Sequence, residues 1–160
     1  MAAALSALAG GSLAQAPGVG DPAPEFSLRT LDGPAARLSD YRGRAVVVNF
    51  WASWCAPCEA ELPELVSAYH ANEARGLSVL AVNLTDQERR TDVLTFVRAA
   101  GIPFPVLLDE RGRVRERYRL IAVPTTVFID RTGDVQRIHP GPLTRKGLED
   151  GVEIILGPPP

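Results

Sequence analysis

The chain has 160 residues, of which 46% are hydrophobic and 22% are charged, and its formal net charge is −2 at pH 7. This length and composition are typical of one globular domain with a sizeable core. The charge provides no broad basic surface, so we expect no nucleic-acid partner.

The first 19 residues are mostly small and apolar and form a leader before the predicted domain. Ala14-Gln15-Ala16 has the small-x-small form of a signal-peptidase site, yet no Lys or Arg precedes the apolar stretch. The stretch is too short and too often interrupted by glycine to predict a membrane span. Two interpretations stay open: a remnant of an export signal or membrane anchor, and a disordered leader.

The predicted domain, residues 20–156, begins with a β-hairpin and continues as alternating strands and helices; residues 157–160 are a tail. The hairpin strands flank the turn Leu31-Asp32-Gly33. After it, the patterns predict a helical turn at 39–43, a buried strand at 45–51, a helix at 56–75, a buried strand at 77–84, a helix at 91–100, a strand at 106–108, helical turns at 114–118, strands at 125–129 and 135–139, and a helix at 144–156. This order predicts an α/β fold, a sheet with helices on both faces.

Both cysteines, Cys55 and Cys58, lie within the sequence WASWCAPCEAELP, residues 51–63. A structural zinc site needs about four ligands, and the two histidines, His70 and His139, have no ligand spacing to the cysteines. A structural disulfide across a two-residue loop would remove little chain entropy. A redox dithiol is therefore favoured, and a pair of cysteines without function is the alternative.

The residues around the cysteines suit thiol chemistry. Because a strand is predicted to end at Trp51 and a helix to begin near Ala56, Cys55 falls at the helix N-terminus, where free N–H groups favour a thiolate. Cys58 lies one turn deeper, so we expect Cys55 to be exposed and Cys58 to be shielded. Trp54 supplies an apolar rim.

The order of four segments is similar to one protein superfamily. GDPAPEFSL, LSDYRGRAVVVNFWASWCAPC, VLAVNL and VPTTVFIDRTG resemble the thioredoxin superfamily, and within it the extracytoplasmic TlpA/ResA/CcmG group of thiol–disulfide oxidoreductases. The resemblance covers nearly all of residues 20–156. It implies a thioredoxin-like fold, with a central mixed sheet, helices on both faces and an added N-terminal β-hairpin.

The resemblance also implies a set of site residues. Cys55 and Cys58 are the expected catalytic thiols, and Glu61 matches an acidic residue of the group that raises the pKa of the thiols and relays a proton. The segment Val123-Pro124-Thr125 matches a cis-proline loop that faces the dithiol. The expected substrate-binding residues are Trp54, Pro57, Val123, Pro124 and Thr125.

Two of these matches leave alternatives open. Glu61 is otherwise an ordinary solvated charge on a helix. Asn49 stands where general thioredoxins have a buried aspartate, so the proton relay would pass to Glu61 or to water.

By the same resemblance, the chain is an enzyme that reduces disulfides of exported proteins such as apocytochrome c. We expect it to need no metal or cofactor, to act outside the cytoplasm, in the periplasm or on the outer face of the membrane, and to be a monomer. Its reductant would be a membrane protein of the DsbD/CcdA type, and its N-terminus is a candidate anchor.

Two other functions remain as alternatives on the same fold. A peroxiredoxin-type peroxidase has Thr or Ser three residues before its reactive cysteine, where this chain has Ala52. A Sco-like copper-binding chaperone has a wider cysteine spacing and a downstream histidine ligand.

Overall fold

The computed structural model describes residues 15–158. Most of the predicted leader, residues 1–14, therefore lies outside the described residues. Among those described, no helix has both the length and the apolar character needed to cross a membrane. The described part contains seven strands, β1 (Ser27–Thr30), β2 (Ala35–Arg37), β3 (Ala45–Trp51), β4 (Leu77–Asn83), β5 (Val106–Leu108), β6 (Thr125–Ile129) and β7 (Val135–Pro140), and four α-helices, α1 (Ala56–Asn72), α2 (Arg90–Ala100), α3 (Arg113–Arg117) and α4 (Arg145–Leu156).

All seven strands form one mixed sheet in the order β2-β1-β5-β4-β3-β6-β7. The pairs β3–β4 and β4–β5 are parallel, and the other four pairs are antiparallel. The predicted N-terminal hairpin is present as β1 and β2, and β1 extends the sheet by pairing with β5. The mixed sheet predicted from the family resemblance is therefore confirmed.

The central strands are buried on both faces because their side chains alternate between two hydrophobic cores. In β3, Val47 and Trp51 belong to the core that α1, α2 and α4 cover, whereas Val46, Val48 and Phe50 belong to the core that α3 covers. Helices therefore lie on both faces, as predicted. Asn49 is on the same face of β3 as Val47, so it faces α1.

The first helix is shorter than the sequence predicts. The pattern indicates a helix over 56–75, but α1 ends at Asn72 and the next three residues form a 3₁₀-helix, Glu73–Arg75. A tighter last turn is a common way to satisfy the final carbonyl groups of a helix. Gly76 then reverses the chain with a positive φ of 95° and leads into β4.

Gly151 lies where α4 packs directly against Phe128 of β6. A Cβ atom at this position would overlap the ring of Phe128, which is fully buried in β6. Glycine is therefore required here by packing, although it lowers the intrinsic stability of a helix.

We predict that Gly151→Ala lowers the free energy of unfolding by about 1–3 kcal/mol, because overpacking exceeds the gain in helix propensity. Urea denaturation of the oxidised protein measures the change. Gly147→Ala is the control in the same helix, since a Cβ there meets only the side chains of Leu143 and Thr144, at 3.2 and 3.3 Å. Because these contacts are tight but do not overlap a buried ring, this control should lose less stability than Gly151→Ala. An equal loss in both variants would contradict the packing explanation.

Candidate active site

The two cysteines lie at the start of α1 and form a disulfide bond, with their Cα atoms 5.3 Å apart. Cys55 is the N-cap residue of the helix, and its Sγ accepts a hydrogen bond from the backbone N–H of Cys58 at 3.2 Å. Pro57 stands in the first turn, where a missing N–H leaves no helix hydrogen bond unmade. The predicted position of the dithiol is confirmed.

The expected difference in exposure between the two thiols is wrong for the oxidised protein. Cys55 and Cys58 are each only 5% exposed, and both belong to the core on the α1 side of the sheet. The apolar side chains packed against that core include Val123, from the loop before β6. Trp54, which directly precedes Cys55, is by contrast 58% exposed.

Glu61 is a buried carboxylate, and the alternative of a solvated helix charge is therefore wrong. It is 5% exposed and lies one turn after Cys58 on α1. Its Oε1 accepts a hydrogen bond from Nδ2 of Asn49 at 2.8 Å, and its Oε2 accepts one from the backbone N–H of Leu143 at 2.9 Å. Asn49 Nδ2 also lies 3.1 Å from Oγ1 of Thr126 in β6.

Burial raises the pKa of the Glu61 carboxyl above its usual value, because a charged group loses its hydration there. The hydrogen bonds from Leu143 and Asn49 and the charge of His139 lower the pKa, but they do not cancel the effect of burial. A raised pKa makes this carboxyl a better proton acceptor once it is ionised and a proton donor closer to neutral pH.

The loop before β6 contains the cis peptide bond Val123-Pro124, as the resemblance implied. Pro124 is buried, and Thr125 Oγ1 donates a hydrogen bond to the carbonyl of Ala122 at 2.8 Å. Val123 and Trp54 line the same surface depression of about 170 Å³. The structure thus brings this loop and the residue preceding Cys55 together at one surface.

The sequence identified Glu61 but not the groups that bind it. Leu143 lies 82 residues from Glu61 along the chain, and a backbone N–H carries no signal in the residue pattern. For Asn49, the sequence indicates only a departure from the thioredoxin pattern and not its hydrogen bond to Glu61. Among residues 15–158, no group of three or more His, Cys, Asp or Glu side chains could hold a metal ion.

Comparison with known proteins assigns the family. Residues 19–138 match the AhpC/TSA family. The chain belongs to this family. Thiol-disulfide oxidoreductase ResA of Geobacillus kaustophilus is 39% identical over 137 residues, which are 86% of this chain and 78% of that protein. Thioredoxin-like protein YneN of Bacillus subtilis is 38% identical over 136 residues, 84% of this chain and 79% of that protein.

Solved structures of related proteins have the same fold. A thiol:disulfide interchange protein of the thioredoxin family from Chlorobium tepidum superposes with a TM-score of 0.77 at 30% identity, covering 89% of this chain and all of that one. StoA from Bacillus subtilis gives a TM-score of 0.70 at 30% identity, covering 84% of this chain and 99% of StoA. This member of the AhpC/TSA family therefore has a thioredoxin-like fold. Its Cys55–Cys58 disulfide and its relatives identify it as an enzyme, a thiol–disulfide oxidoreductase.

The raised pKa of Glu61 predicts how stability depends on pH. Because the fold favours the neutral carboxyl, the contribution of Glu61 is fully present below the pKa of the unfolded chain and is lost as pH rises through the raised pKa. Between about pH 4 and about pH 8, the oxidised wild type should lose stability relative to Glu61→Gln, which has no charge to bury. Urea denaturation across this range measures the difference.

Glu59→Gln removes an exposed carboxylate from the same helix and is the control for the loss of an acidic side chain as such. A difference between wild type and Glu61→Gln that stays constant with pH, or that grows in favour of the wild type, would contradict a raised pKa.

Proposed function

We propose that this oxidoreductase donates electrons to disulfides of exported proteins, with apocytochrome c as the substrate favoured by the resemblance to the TlpA/ResA/CcmG group. The observation that carries the proposal is the position of Cys55 at the N-cap of α1, with the N–H of Cys58 pointing at its sulfur. Hydrogen bonding of this kind stabilises a thiolate, which is the attacking species in disulfide exchange.

The reaction has two exchange steps. The Cys55 thiolate attacks one sulfur of the substrate disulfide, a mixed disulfide forms, and the other substrate sulfur leaves as a thiolate. Cys58 loses its proton and attacks Cys55 Sγ, which releases the second substrate sulfur and leaves the Cys55–Cys58 disulfide. Two electrons pass from the enzyme to the substrate, and the Cys55–Cys58 disulfide is the oxidised form that this half-reaction would leave.

Glu61 is the group proposed to handle the proton of Cys58. The two residues are three positions apart on α1 and are equally buried, so they lie on the same face of the helix. A carboxylate at this place also opposes a thiolate nearby, because two negative charges are costly in a site that excludes water. A reduced form with less stabilised thiolates gives up electrons more readily, which supports the reducing direction.

The surface around the dithiol is proposed to bind the polypeptide that carries the substrate disulfide. Trp54, Pro57, Val123, Pro124 and Thr125 are the proposed contacts. The shared depression of Trp54 and Val123 and the exposed aromatic ring of Trp54 support this assignment, since an exposed indole ring offers a large apolar area for contact with a polypeptide.

The proposed cellular setting follows the same resemblance. The enzyme would be a monomer acting outside the cytoplasm, with residues 1–19 as a signal or anchor and residues 20–156 as the catalytic domain. A membrane protein of the DsbD/CcdA type would restore the dithiol. Each return of the enzyme to its reduced form needs two electrons from such a donor.

We predict that Cys55 is the attacking thiol. In the reduced protein at neutral pH, iodoacetamide should modify Cys55 well before Cys58, because the helix N-terminus favours the Cys55 thiolate. The reduced Cys58→Ser variant should accumulate a mixed disulfide with disulfide-bonded insulin or apocytochrome c, because no second thiol can resolve it. Cys55→Ser should not. Peptide mass spectrometry identifies the alkylated residue and the trapped bond.

Insulin reduction tests the activity itself. Wild type should accelerate reduction by dithiothreitol, and Cys55→Ser should give the rate of dithiothreitol alone. Preferential labelling of Cys58 would reverse the assignment of the two thiols, and a wild type without any acceleration would contradict the reductase function.

We further predict that Glu61→Gln lowers the pKa of the active-site thiols and slows exchange with a protein disulfide. The first effect follows from removing a negative charge near Cys58, and the second from losing the proton acceptor. Thiolate absorbance against pH gives the pKa, and stopped-flow kinetics with a protein disulfide gives the rate.

Glu64→Gln, on the same helix but paired with Arg145 at the surface, is the matched control. Titration curves and rates that coincide for wild type and Glu61→Gln would show that Glu61 takes no part in the exchange.

A further inference from the structure

The loop between β3 and α1 is held by a carboxylate from another part of the chain. Glu88, in the segment between β4 and α2, accepts a hydrogen bond from the backbone N–H of Ser53 at 2.9 Å. Its second oxygen accepts a hydrogen bond from the hydroxyl of the same serine. Ser53 precedes Cys55 by two residues, so both contacts act on the short segment that leads into the N-cap.

Glu88 is itself fixed by a buried amide. Asn83 Nδ2 donates to Glu88 Oε1 at 2.7 Å, and Asn83 is completely buried at the end of β4. Thr85 Oγ1 donates to Asn83 Oδ1 at 2.8 Å, so the amide oxygen has a partner and the amide nitrogen faces Glu88. A fully buried amide with both ends bonded is a rigid support.

Asn83 is also tied to the strand from which the cysteine loop emerges. It pairs with Trp51 in the register of β3 and β4, and the N–H of Leu84 donates to the carbonyl of Trp51 at 3.0 Å. The path from the central sheet to the loop therefore runs from Asn83 through Glu88 to Ser53. Every link in it is a hydrogen bond between side chains or to the backbone.

The loop itself contributes little that would fix its own position. Its internal hydrogen bond runs from the N–H of Cys55 to the carbonyl of Ala52 at 3.2 Å. The N-cap conformation of Cys55, with φ −92° and ψ 100°, has to be maintained for its sulfur to meet the N–H of Cys58. Both donors of Ser53 are already bound by Glu88, which restricts the two residues that follow.

We propose that Glu88 is a positioning residue for thiol–disulfide exchange: by binding the N–H and hydroxyl of Ser53, it holds Cys55 in the N-cap geometry that stabilises its thiolate. The proposal rests on the proposed role of Cys55 as the attacking thiol. Glu88 touches neither sulfur in this role and acts through Ser53 alone.

Two substitutions of Glu88 separate its hydrogen bonds from its charge. Glu88→Gln keeps an amide oxygen for the N–H of Ser53 and for Asn83, and its amide nitrogen can donate to the Ser53 hydroxyl oxygen. Glu88→Ala removes all three contacts. Since both variants lack the negative charge, a difference between them comes from the contacts of the side chain and not from its charge.

The measurement is the rate of iodoacetamide reaction at Cys55 between about pH 5 and about pH 10, a range that spans ordinary and lowered thiol pKa values. Glu88→Ala should show a higher apparent pKa of Cys55 than Glu88→Gln and exchange about tenfold more slowly with a protein disulfide. Glu88→Gln should keep a pH profile of Cys55 alkylation close to that of the wild type. Thermal unfolding of each variant shows whether the fold is intact, and equal profiles for two folded variants would overturn the proposal.

Ser53→Ala keeps the test decisive if Glu88→Ala does not fold. It deletes only the hydroxyl contact and leaves the N–H bond to Glu88, so it should shift the pKa of Cys55 in the same direction by a smaller amount. A profile of Ser53→Ala equal to that of wild type would then overturn the proposal. Labelling of Cys58 first in every protein would instead contradict the role of Cys55 and not that of Glu88.

Discussion

The Glu61 carboxylate joins three parts of the fold that are distant in sequence. It lies on α1, and its two oxygens bind Asn49 of the central strand β3 and the N–H of Leu143 before α4. A buried carboxylate is costly unless such donors surround it, so these segments have to be placed correctly for the site to exist. The helix that carries the dithiol is thereby fixed to the sheet behind it and to the loop beside it.

Asn49 acquires a clear role in this arrangement. An aspartate at the same place would set a second negative charge against Glu61, whereas the amide donates a hydrogen bond to it. Asn49 therefore adds no second charge beside Glu61, whose pKa is raised by burial. Whereas the thioredoxin pattern has its buried acid on the strand, the buried acid here is Glu61 on α1, three residues after Cys58.

Much of the fold follows from the residue pattern, and the reasons for the exceptions are physical. The bounds of β3, β5 and β6 agree with the predicted strands, because short, buried runs that are mostly apolar or β-branched are a strong signal for strands. The equal burial of Cys55 and Cys58 could not be predicted, since it depends on which residues from distant segments pack against the core that contains both cysteines. The bonds of Glu61 to Leu143 and of Glu88 to Ser53 depend on tertiary distances in the same way.

The hydrogen bond from the backbone N–H of Leu143 to Glu61 makes Leu143 a spectroscopic reporter of the site, although it is distant from the cysteines in sequence. A backbone N–H bonded to an ionised carboxylate forms a shorter and stronger bond than one bonded to a neutral carboxyl. The amide resonance of Leu143 therefore registers whether the acid behind the dithiol holds its proton. Because the reporter is a backbone N–H, 82 residues from Glu61 in sequence, its signal can be followed in both the oxidised and the reduced protein. Neither cysteine has to be modified for the measurement.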